Sequence, residues 1–327
     1  MVSTLALPPD RSVELRLETP ADDHDEALAL WTVQQVSFRQ IDGVEPAWED
    51  EPSFLVLREH LEGRMERRLR DELALPACAP ANVPDQLVEM LDGAGGPSLS
   101  EWMEAHSTLE HLREFLVHRS AYQLQEADAH SFAIPRLAAG EAKTALLEMQ
   151  LDEYGGHEPA EAHAELFADT MAAAGLDPAA GPDIERLPAV TLATNTLLNR
   201  LGRSRRLLAA CLGHLAVFEM TSVEPMARYA ATVRRVLPGP AGTQAARFFD
   251  VHVAADGLHA RMAMERLVSG FVEQYPAEAP DLLFGAAALL HVERAFSEHV
   301  LSCWATGTTS LRRPLAARGL HPLSLVS

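Results

Sequence analysis

The clearest chemical signal in the sequence is the segment 249–262, which places His252, Asp256 and His259 at four- and three-residue spacing. At about 100° per helical residue, Asp256 lies about 40° from His252, and His259 lies about 20° to the other side. Imidazole nitrogens and a carboxylate on one helical face are ligands for a transition metal such as iron. The flanking residues are apolar and rich in alanine, which favours a buried metal site over a solvated polar stripe.

A second signal joins Glu153 to His163, ten residues later. In an unbroken helix ten residues turn about 1000°, so the two side chains would diverge by about 80°. Two glycines and a proline at 155–159 can interrupt the helix and let both side chains converge. Other donors in the same segment remain alternatives, namely Glu148, Asp152 and His157.

Two further carboxylates lie in helical patterns. Glu126 follows Tyr122 and His118 at four-residue spacing, on one predicted helix face. Glu219 lies in an otherwise apolar helix, where a lone carboxylate is costly unless it is paired or bound to a metal. Nearby alternatives are Asp128, His130 and His214.

Together the four segments supply the carboxylates and histidines that a two-iron site in a helical bundle requires. The sequence lacks the Glu-x-x-His pair on two helices that is typical of ferritin-like proteins, so that bundle fits poorly.

The elements that must position these donors are predicted to be helices throughout. Apolar residues recur at three- and four-residue spacing, and alternating β-branched runs are nearly absent, which predicts an all-α protein. Ser98 and Glu101 have the spacing of a helix-starting capping box, with Ser100 as a rival cap. The predicted helical regions are 26–75, 99–128, 141–154, 159–175, 187–200, 203–220, 224–236, 241–271 and 279–305.

Charge and cysteine content exclude several classes of protein. The 327 residues include 27 Lys and Arg against 47 Asp and Glu, a formal net charge of −20. Nucleic-acid backbones and anionic membranes select basic surfaces, so neither is an expected partner. The three cysteines form no CxxC pair, and neither a signal peptide nor an apolar stretch near 20 residues is visible. We therefore expect a soluble, cytoplasmic protein.

Over residues 95–320 the sequence resembles the heme-oxygenase-like diiron oxidases, a family called the iron-containing redox enzymes. The resemblance rests on the order of its motifs, which are Glu126-Ala-Asp, Ile134-Pro-Arg-Leu, Glu148-Met-Gln-Leu-Asp-Glu-Tyr-Gly-Gly, His163-Ala-Glu-Leu-Phe, Gly175-Leu-Asp, Phe218-Glu-Met-Thr-Ser, His252-x3-Asp-x2-His259 and Trp304-Ala-Thr-Gly-Thr-Thr-Ser-Leu-Arg-Arg-Pro. It implies a heme-oxygenase-like helical bundle at 91–327. Residues 1–90 are then an N-terminal helical extension, whose helices are a candidate interface for a homodimer.

The same resemblance implies which residues bind metal. Carried over to this sequence, the ligand set becomes Glu126, His163, Glu219, His252, Asp256 and His259. Family members that oxygenate nitrogen often carry one more carboxylate before the second-helix histidine, and here that residue is Glu153. The implied cofactors are two iron ions, with O2 as co-substrate and an external electron donor as partner.

The expected reaction is oxidation of a small molecule in a biosynthetic pathway, with N-oxygenation of an amino acid or amine as the leading hypothesis. Oxidative C–C cleavage or desaturation of a fatty acid or amino acid is an alternative. A metal-free enzyme or binding scaffold with the same fold is another. Arg312, next to Arg313, is a candidate for binding a substrate carboxylate.

Overall fold

The computed structural model describes residues 20–38, 41, 43–73, 75, 78–179, 181 and 183–315. Every regular element within these residues is a helix, as the sequence predicts. The α-helices are α1 (Asp23–Gln35), α2 (Pro52–Glu72), α3 (Val83–Asp92), α4 (Leu99–His106), α5 (Leu109–Gln123), α6 (Asp128–Ser131), α7 (Glu141–Glu153), α8 (His163–Ala173), α9 (Ala189–Arg203), α10 (Leu208–Thr221), α11 (Val223–Val236), α12 (Pro240–Ala245), α13 (Arg247–Met262), α14 (Ser269–Gln274) and α15 (Ala279–Ala305). Short 3-10 segments lie at Pro46–Asp50, Pro80–Asn82, Ile134–Arg136, Pro159–Glu161, Ile184–Arg186, Arg205–Leu207 and Pro276–Glu278, and a π-helical segment at Ala263–Val268 joins α13 to α14.

Several predicted boundaries are wrong, and the local chemistry gives the reason. The single helix predicted over 99–128 is two helices that meet at Ser107 and Thr108. The Thr108 side chain accepts from the backbone N–H of His111, whose ring accepts from the backbone N–H of Thr108. His111 takes the position that Glu or Gln usually occupies in a capping box, so the sequence does not show the usual pattern of this helix start. The Ser98 cap is confirmed, since its hydroxyl accepts from the Glu101 backbone N–H.

Two other predicted helices are also divided. The region 26–75 forms α1 and α2 with a 3-10 turn between them, and 241–271 contains α12, α13 and the π-helical segment. A π-helical turn holds one extra residue in the helix, and such turns occur frequently at functional sites.

The two largest apolar clusters make most of the core of the described residues, and α15 contributes to both of them. One cluster packs α7, α10 and the first half of α15, whereas the other packs α5, α8, α11 and the second half of α15. Helices α10 and α15 approach so closely at Gly213 and Gly285 that an added Cβ would lie 1.9 Å and 1.8 Å from a carbonyl oxygen of the other helix. This contact sets the position of α10, the helix that carries Glu219.

The N-terminal helices are held to the rest of the protein by buried charges. Arg200 on α9 forms salt bridges with Glu59, Glu62 and Glu66 on α2, at 2.8–3.2 Å. The Arg200 and Glu62 side chains are 5% and 0% exposed. Because buried ions that lose their partner are strongly destabilising, this network fixes α2 against α9.

Within the described residues, no single helix is both long and apolar enough to cross a bilayer. One pair of helical segments, Arg205–Thr221 and Val223–Val236, reaches that length and apolarity only together, with a bend of 54° between them.

Candidate metal centre

Four buried side chains meet at one point between α5, α7, α8 and α13. One oxygen each from Glu126 and Glu153 and one nitrogen each from His163 and His252 lie within 4.8 Å of one another. His163 Nδ1 is 2.7 Å from Glu153 Oε2, and His252 Nε2 is 3.6 Å from Glu126 Oε2. We call these four residues the first ligand group.

A second ligand group consists of Glu153, Glu219 and His259, whose donor atoms also lie within 4.8 Å of one another. His259 Nδ1 is 3.3 Å from Glu219 Oε2, and both side chains are at most 4% exposed. Glu153 belongs to both groups, so its carboxylate lies between two potential metal positions. His252 and His259 are seven residues apart, about 10 Å along α13, which is why each belongs to a different group.

The chain between Glu153 and His163 reverses direction in a glycine turn. Gly155 and Gly156 have φ of +84° and +62°, a region that favours glycine. A Cβ on Gly155 would lie 2.5 Å from the backbone nitrogen of Ala162. The turn ends α7 at Glu153 and begins α8 at His163, and this places both side chains in one cluster.

Glu126 reaches the cluster from a turn and not from a helix face. Helix α5 ends at Gln123, so the predicted alignment of Glu126 with His118 is wrong. The next residue, Ala127, has φ of +73° and is the one non-glycine residue with positive φ in the described part of the chain. An alanine in this conformation costs about 1–2 kcal/mol. Such strain typically persists at functional sites because the surrounding structure enforces it.

Outer hydrogen bonds orient two of the histidine rings. His252 Nδ1 donates to the Phe248 carbonyl oxygen at 2.7 Å, which leaves Nε2 directed at the first ligand group. His259 Nε2 donates to Asp152 Oδ2 at 3.0 Å, which leaves Nδ1 directed at Glu219. A second bond of this kind selects the ring tautomer and is typical of metal-binding histidines.

Burial raises the pKa of the carboxyl groups of Glu126 and Glu219 above their usual range. Burial is the largest single effect on His259 and acts to lower its pKa, but the hydrogen bonds with Glu219 and Asp152 and the negative charges of Glu219 and Glu153 together outweigh it and raise the pKa to about 9. Three carboxylates in an apolar interior are costly without compensating cations. A mixed oxygen and nitrogen donor set with these burials fits iron well.

The other candidates from the sequence lie elsewhere. The side chain of Asp256 is outside the described part of the structure, although its backbone belongs to α13. Arg312 is exposed, and its backbone N–H donates to the Arg186 carbonyl oxygen at 2.8 Å. His157 is exposed, Glu148 pairs with Arg266, Asp128 accepts from Tyr154, and His130 contacts His214 in a buried pair.

A cavity of about 380 Å³ lies beside side chains that pack against the first ligand group, although no member of that group lines it. Gln123, Phe218 and Phe248 line it, and the Phe248 ring centroid is 4.5 Å from that of His252. In the amide orientation that satisfies both of its polar atoms, Gln123 donates to Glu126 Oε1 at 2.7 Å. The volume lies near the lower end of the ~300–1,000 Å³ that small-molecule sites occupy.

The sequence does not reveal the roles of three residues around this cavity and the cluster. Asp152 is an alternative ligand by its position in the sequence, but in the structure it contacts the remote nitrogen of His259. Arg119 and Glu293, which line the cavity, are not among the candidates from the sequence. The position of Arg119 among apolar residues of α5 indicates an acidic partner elsewhere in the chain, because a mostly buried arginine requires one.

A family model identifies the group of proteins to which the chain belongs. Residues 113–294 match the family model described as "Iron-containing redox enzyme", and this stretch contains every predicted ligand. A solved structure described as a CADD-like protein of unknown function from Nostoc punctiforme PCC 73102 aligns with a TM-score of 0.47 and 16% identity, over 75% of this chain and 96% of that one. No curated protein matches the sequence. Because the family match spans more than half of the chain, the protein belongs to the iron-containing redox enzymes, a family of heme-oxygenase-like fold, and is an oxidoreductase.

Proposed function

We propose that the protein is a non-heme diiron oxygenase or oxidase that uses O2 to oxidise a small amino acid or amine, with N-oxygenation as its leading reaction. The observation that carries this proposal is the shared position of Glu153 between the two ligand groups. One carboxylate common to two donor sets is the arrangement that two neighbouring metal ions require.

Charge balance supports two ions over one. Glu126, Glu153 and Glu219 together carry a charge of −3 when ionised, and two divalent cations would compensate it with +4. A single divalent cation would leave −1 in a site whose members are at most 9% exposed. Because burying uncompensated charge is costly, the described donors favour the two-ion arrangement.

When bound, two ferrous ions would supply O2 activation and two electrons, so repeated turnover requires an external electron donor. The chain's own residues hold and shield this centre. Glu126, His163 and His252 would hold one ion, Glu219 and His259 the other, and Glu153 both. Phe218 and Phe248 line the cavity and would shield the centre from water on that side. A substrate in the cavity would contact Gln123, whose amide donates to Glu126 of the first ligand group.

The first test is an anaerobic Fe(II) titration of metal-stripped protein. We expect about two irons per chain in the unchanged protein and an absorption change after mixing with O2. Glu153→Ala should weaken both binding steps, because its carboxylate serves both groups. Glu148→Ala is the matched control on the same helix, since Glu148 is exposed and pairs with Arg266, and it should retain two irons. Binding of one iron or none by the unchanged protein would contradict the proposal.

The reaction is tested separately, by anaerobic iron loading followed by O2 and a panel of amino acids, amines and fatty acids. A product heavier than the substrate by one oxygen, with the oxygen on nitrogen, supports N-oxygenation. Loss of a carbon fragment or of two hydrogens supports C–C cleavage or desaturation instead, which the apolar lining of the cavity also accommodates. Full nitrogen oxidation by Glu153→Ala would refute a role for Glu153 in this chemistry.

A further inference from the structure

An ion pair lines the cavity outside the ligand groups. Arg119 Nη1 donates to Glu293 Oε1 at 2.8 Å, and Nη2 donates to Oε2 at 2.7 Å, so the pair is bidentate. The guanidinium carbon is 4.3 Å from the ring centroid of Phe296 and 5.8 Å from that of Phe115. The two rings and the carboxylate hold the cation in one orientation, as a preorganised binding group requires.

Both members of the pair retain capacity for a ligand. A guanidinium has five N–H donors, and Glu293 accepts from two of them, whereas a carboxylate has about four acceptor positions. The side chains are 16% and 29% exposed, so a molecule in the cavity can reach them. A positive and a negative group held side by side match a ligand that carries both a carboxylate and an ammonium.

The remaining walls of the cavity limit the rest of the ligand. Phe167, Phe249, Met226 and Leu289 form its apolar walls, whereas Arg294 and several serine and threonine residues also line it. A second charged group on the ligand would be costly against the apolar walls. The cavity therefore fits an apolar side chain attached to a zwitterionic head group.

The geometry also orients such a ligand. Arg119 and Gln123 lie four residues apart on the same face of α5, about 6 Å along the helix axis. Gln123 donates a hydrogen bond to Glu126, which belongs to the first ligand group of the metal centre. A head group bound at Arg119 therefore lies at a distance from the metal centre, and the side chain of the bound molecule points toward it.

We propose that this cavity binds an α-amino acid with an apolar side chain, with its carboxylate on Arg119, its ammonium on Glu293, and its side chain directed toward Glu126. That the bound molecule is the substrate rests on the proposed function, whereas its binding does not. In this orientation the side chain and not the ammonium faces the metal centre, so an amino acid bound in this way would be oxidised on its side chain, by desaturation or C–C cleavage, and not N-oxygenated.

The test measures dissociation constants by isothermal titration calorimetry on the full chain, metal-free and loaded anaerobically with Fe(II). The probes are L-leucine, L-methionine and L-phenylalanine, each with its analogue lacking the ammonium or the carboxylate. For leucine these analogues are 4-methylpentanoate and 3-methylbutylamine. We expect at least one amino acid to bind, and each of its analogues to bind at least tenfold more weakly, since a lost charged hydrogen bond costs about that much.

Variants assign each contact to one end of the ligand. Arg119→Gln should weaken binding of the amino acid and of the deaminated acid by about ten- to a hundredfold, and leave the amine unchanged. Glu293→Gln should weaken binding of the amino acid and the amine, and leave the acid unchanged. Arg312→Gln tests the other arginine that the sequence offers for the carboxylate and should change no dissociation constant more than twofold, and Arg205→Gln, at an exposed arginine outside the cavity, is the control. The double variant Arg119→Gln/Glu293→Gln removes both charges together and guards against effects of one unpaired ion on folding, which thermal melting checks.

The outcomes separate this inference from the proposed function. Binding of two irons without binding of any probe amino acid overturns the inference and leaves the diiron proposal standing. Selective amino-acid binding without iron supports the inference and contradicts the diiron proposal. Equal weakening of amine and acid by Arg119→Gln, or a loss of affinity in Arg312→Gln in its place, overturns the assignment of the head group.

Discussion

Asp152 offers a direct test of how the second ligand group is built. Its carboxylate accepts a hydrogen bond from His259 Nε2 at 3.0 Å, on the ring nitrogen opposite the one that faces Glu219. Asp152→Asn keeps an oxygen that can accept this bond but removes the charge. We expect this substitution to weaken iron binding at the second ligand group and to leave the first ligand group unchanged, because His252 is oriented by a backbone carbonyl instead.

The magnitude follows from exposure and from the usual strength of such contacts. Outer-sphere partners of metal-binding histidines are typically worth 10- to 100-fold in metal affinity, or about 1.4–2.7 kcal/mol. The Asp152 side chain is 53% exposed, so solvent screens its charge, whereas His259 is fully buried. We therefore expect the lower end for Asp152→Asn, about tenfold.

The assay is an anaerobic competition between the protein and a coloured Fe(II) chelator. A Glu126→Gln background weakens the first ligand group, and adding Asp152→Asn to it should cost a further tenfold or so at the remaining step. In a Glu219→Gln background the same change should add little, because the two residues act on the same group. Glu148→Gln, one turn earlier on α7, is the control that should leave both steps unchanged. Equal weakening of both steps by Asp152→Asn, or no weakening, would refute the assigned role.

Three further predictions concern the scaffold. Gly213→Ala should lower the free energy of unfolding by about 3 kcal/mol in urea denaturation, because the added Cβ would lie 1.9 Å from a backbone oxygen. Gly257 has open space around it, so Gly257→Ala should leave the free energy of unfolding unchanged or raise it by up to about 1 kcal/mol. Equal effects of the two would contradict the close approach of α10 and α15. Arg200→Ala should lower the free energy of unfolding by about 3–5 kcal/mol in the same assay, because it removes one of the two guanidinium partners of the fully buried Glu62. A decrease below about 1 kcal/mol would mean that solvent reaches the salt-bridge network. Burial lowers the pKa of His118 to about 3, so its ring stays neutral in the folded protein, whereas in the unfolded chain it takes up a proton below about pH 6.5. The free energy of unfolding therefore falls as the pH falls, and His118→Gln should remove about 2 kcal/mol of the decrease between pH 7.5 and pH 5. An unchanged decrease in the variant would refute this origin.

The helical fold could be predicted because its signals are local. Apolar periodicity and the Ser98 cap depend on residues within one or two turns of each other. The break at Thr108 could not be predicted from the same rules, because its cap uses a histidine ring as the acceptor. The turn at Ala127 could not be predicted either, because the residue with positive φ is an alanine and not the glycine or asparagine that such turns usually contain.

The candidate site was partly predictable for the same physical reason. The glycines at 155 and 156 indicated a reversal that could bring Glu153 to His163, and the two side chains do meet. The position of Glu153 between two ligand groups depends on how residues from distant parts of the chain meet, and no local spacing encodes that arrangement. Arg119 and Glu293 are 174 residues apart, so only the folded chain pairs them.

Helix α5 and the turn that follows it connect the two halves of the candidate active site. Arg119 lies in the cavity, Gln123 lies one turn later, and Glu126 follows in the strained turn at Ala127. A ligand that engages Arg119 therefore acts on the same rigid segment that positions a metal ligand, three residues beyond the end of the helix. Because Gln123 donates to Glu126, a change in the cavity has a short physical route to the first ligand group. The strain at Ala127 is then explained as the cost of turning Glu126 inward immediately after a helix whose last turns serve the cavity.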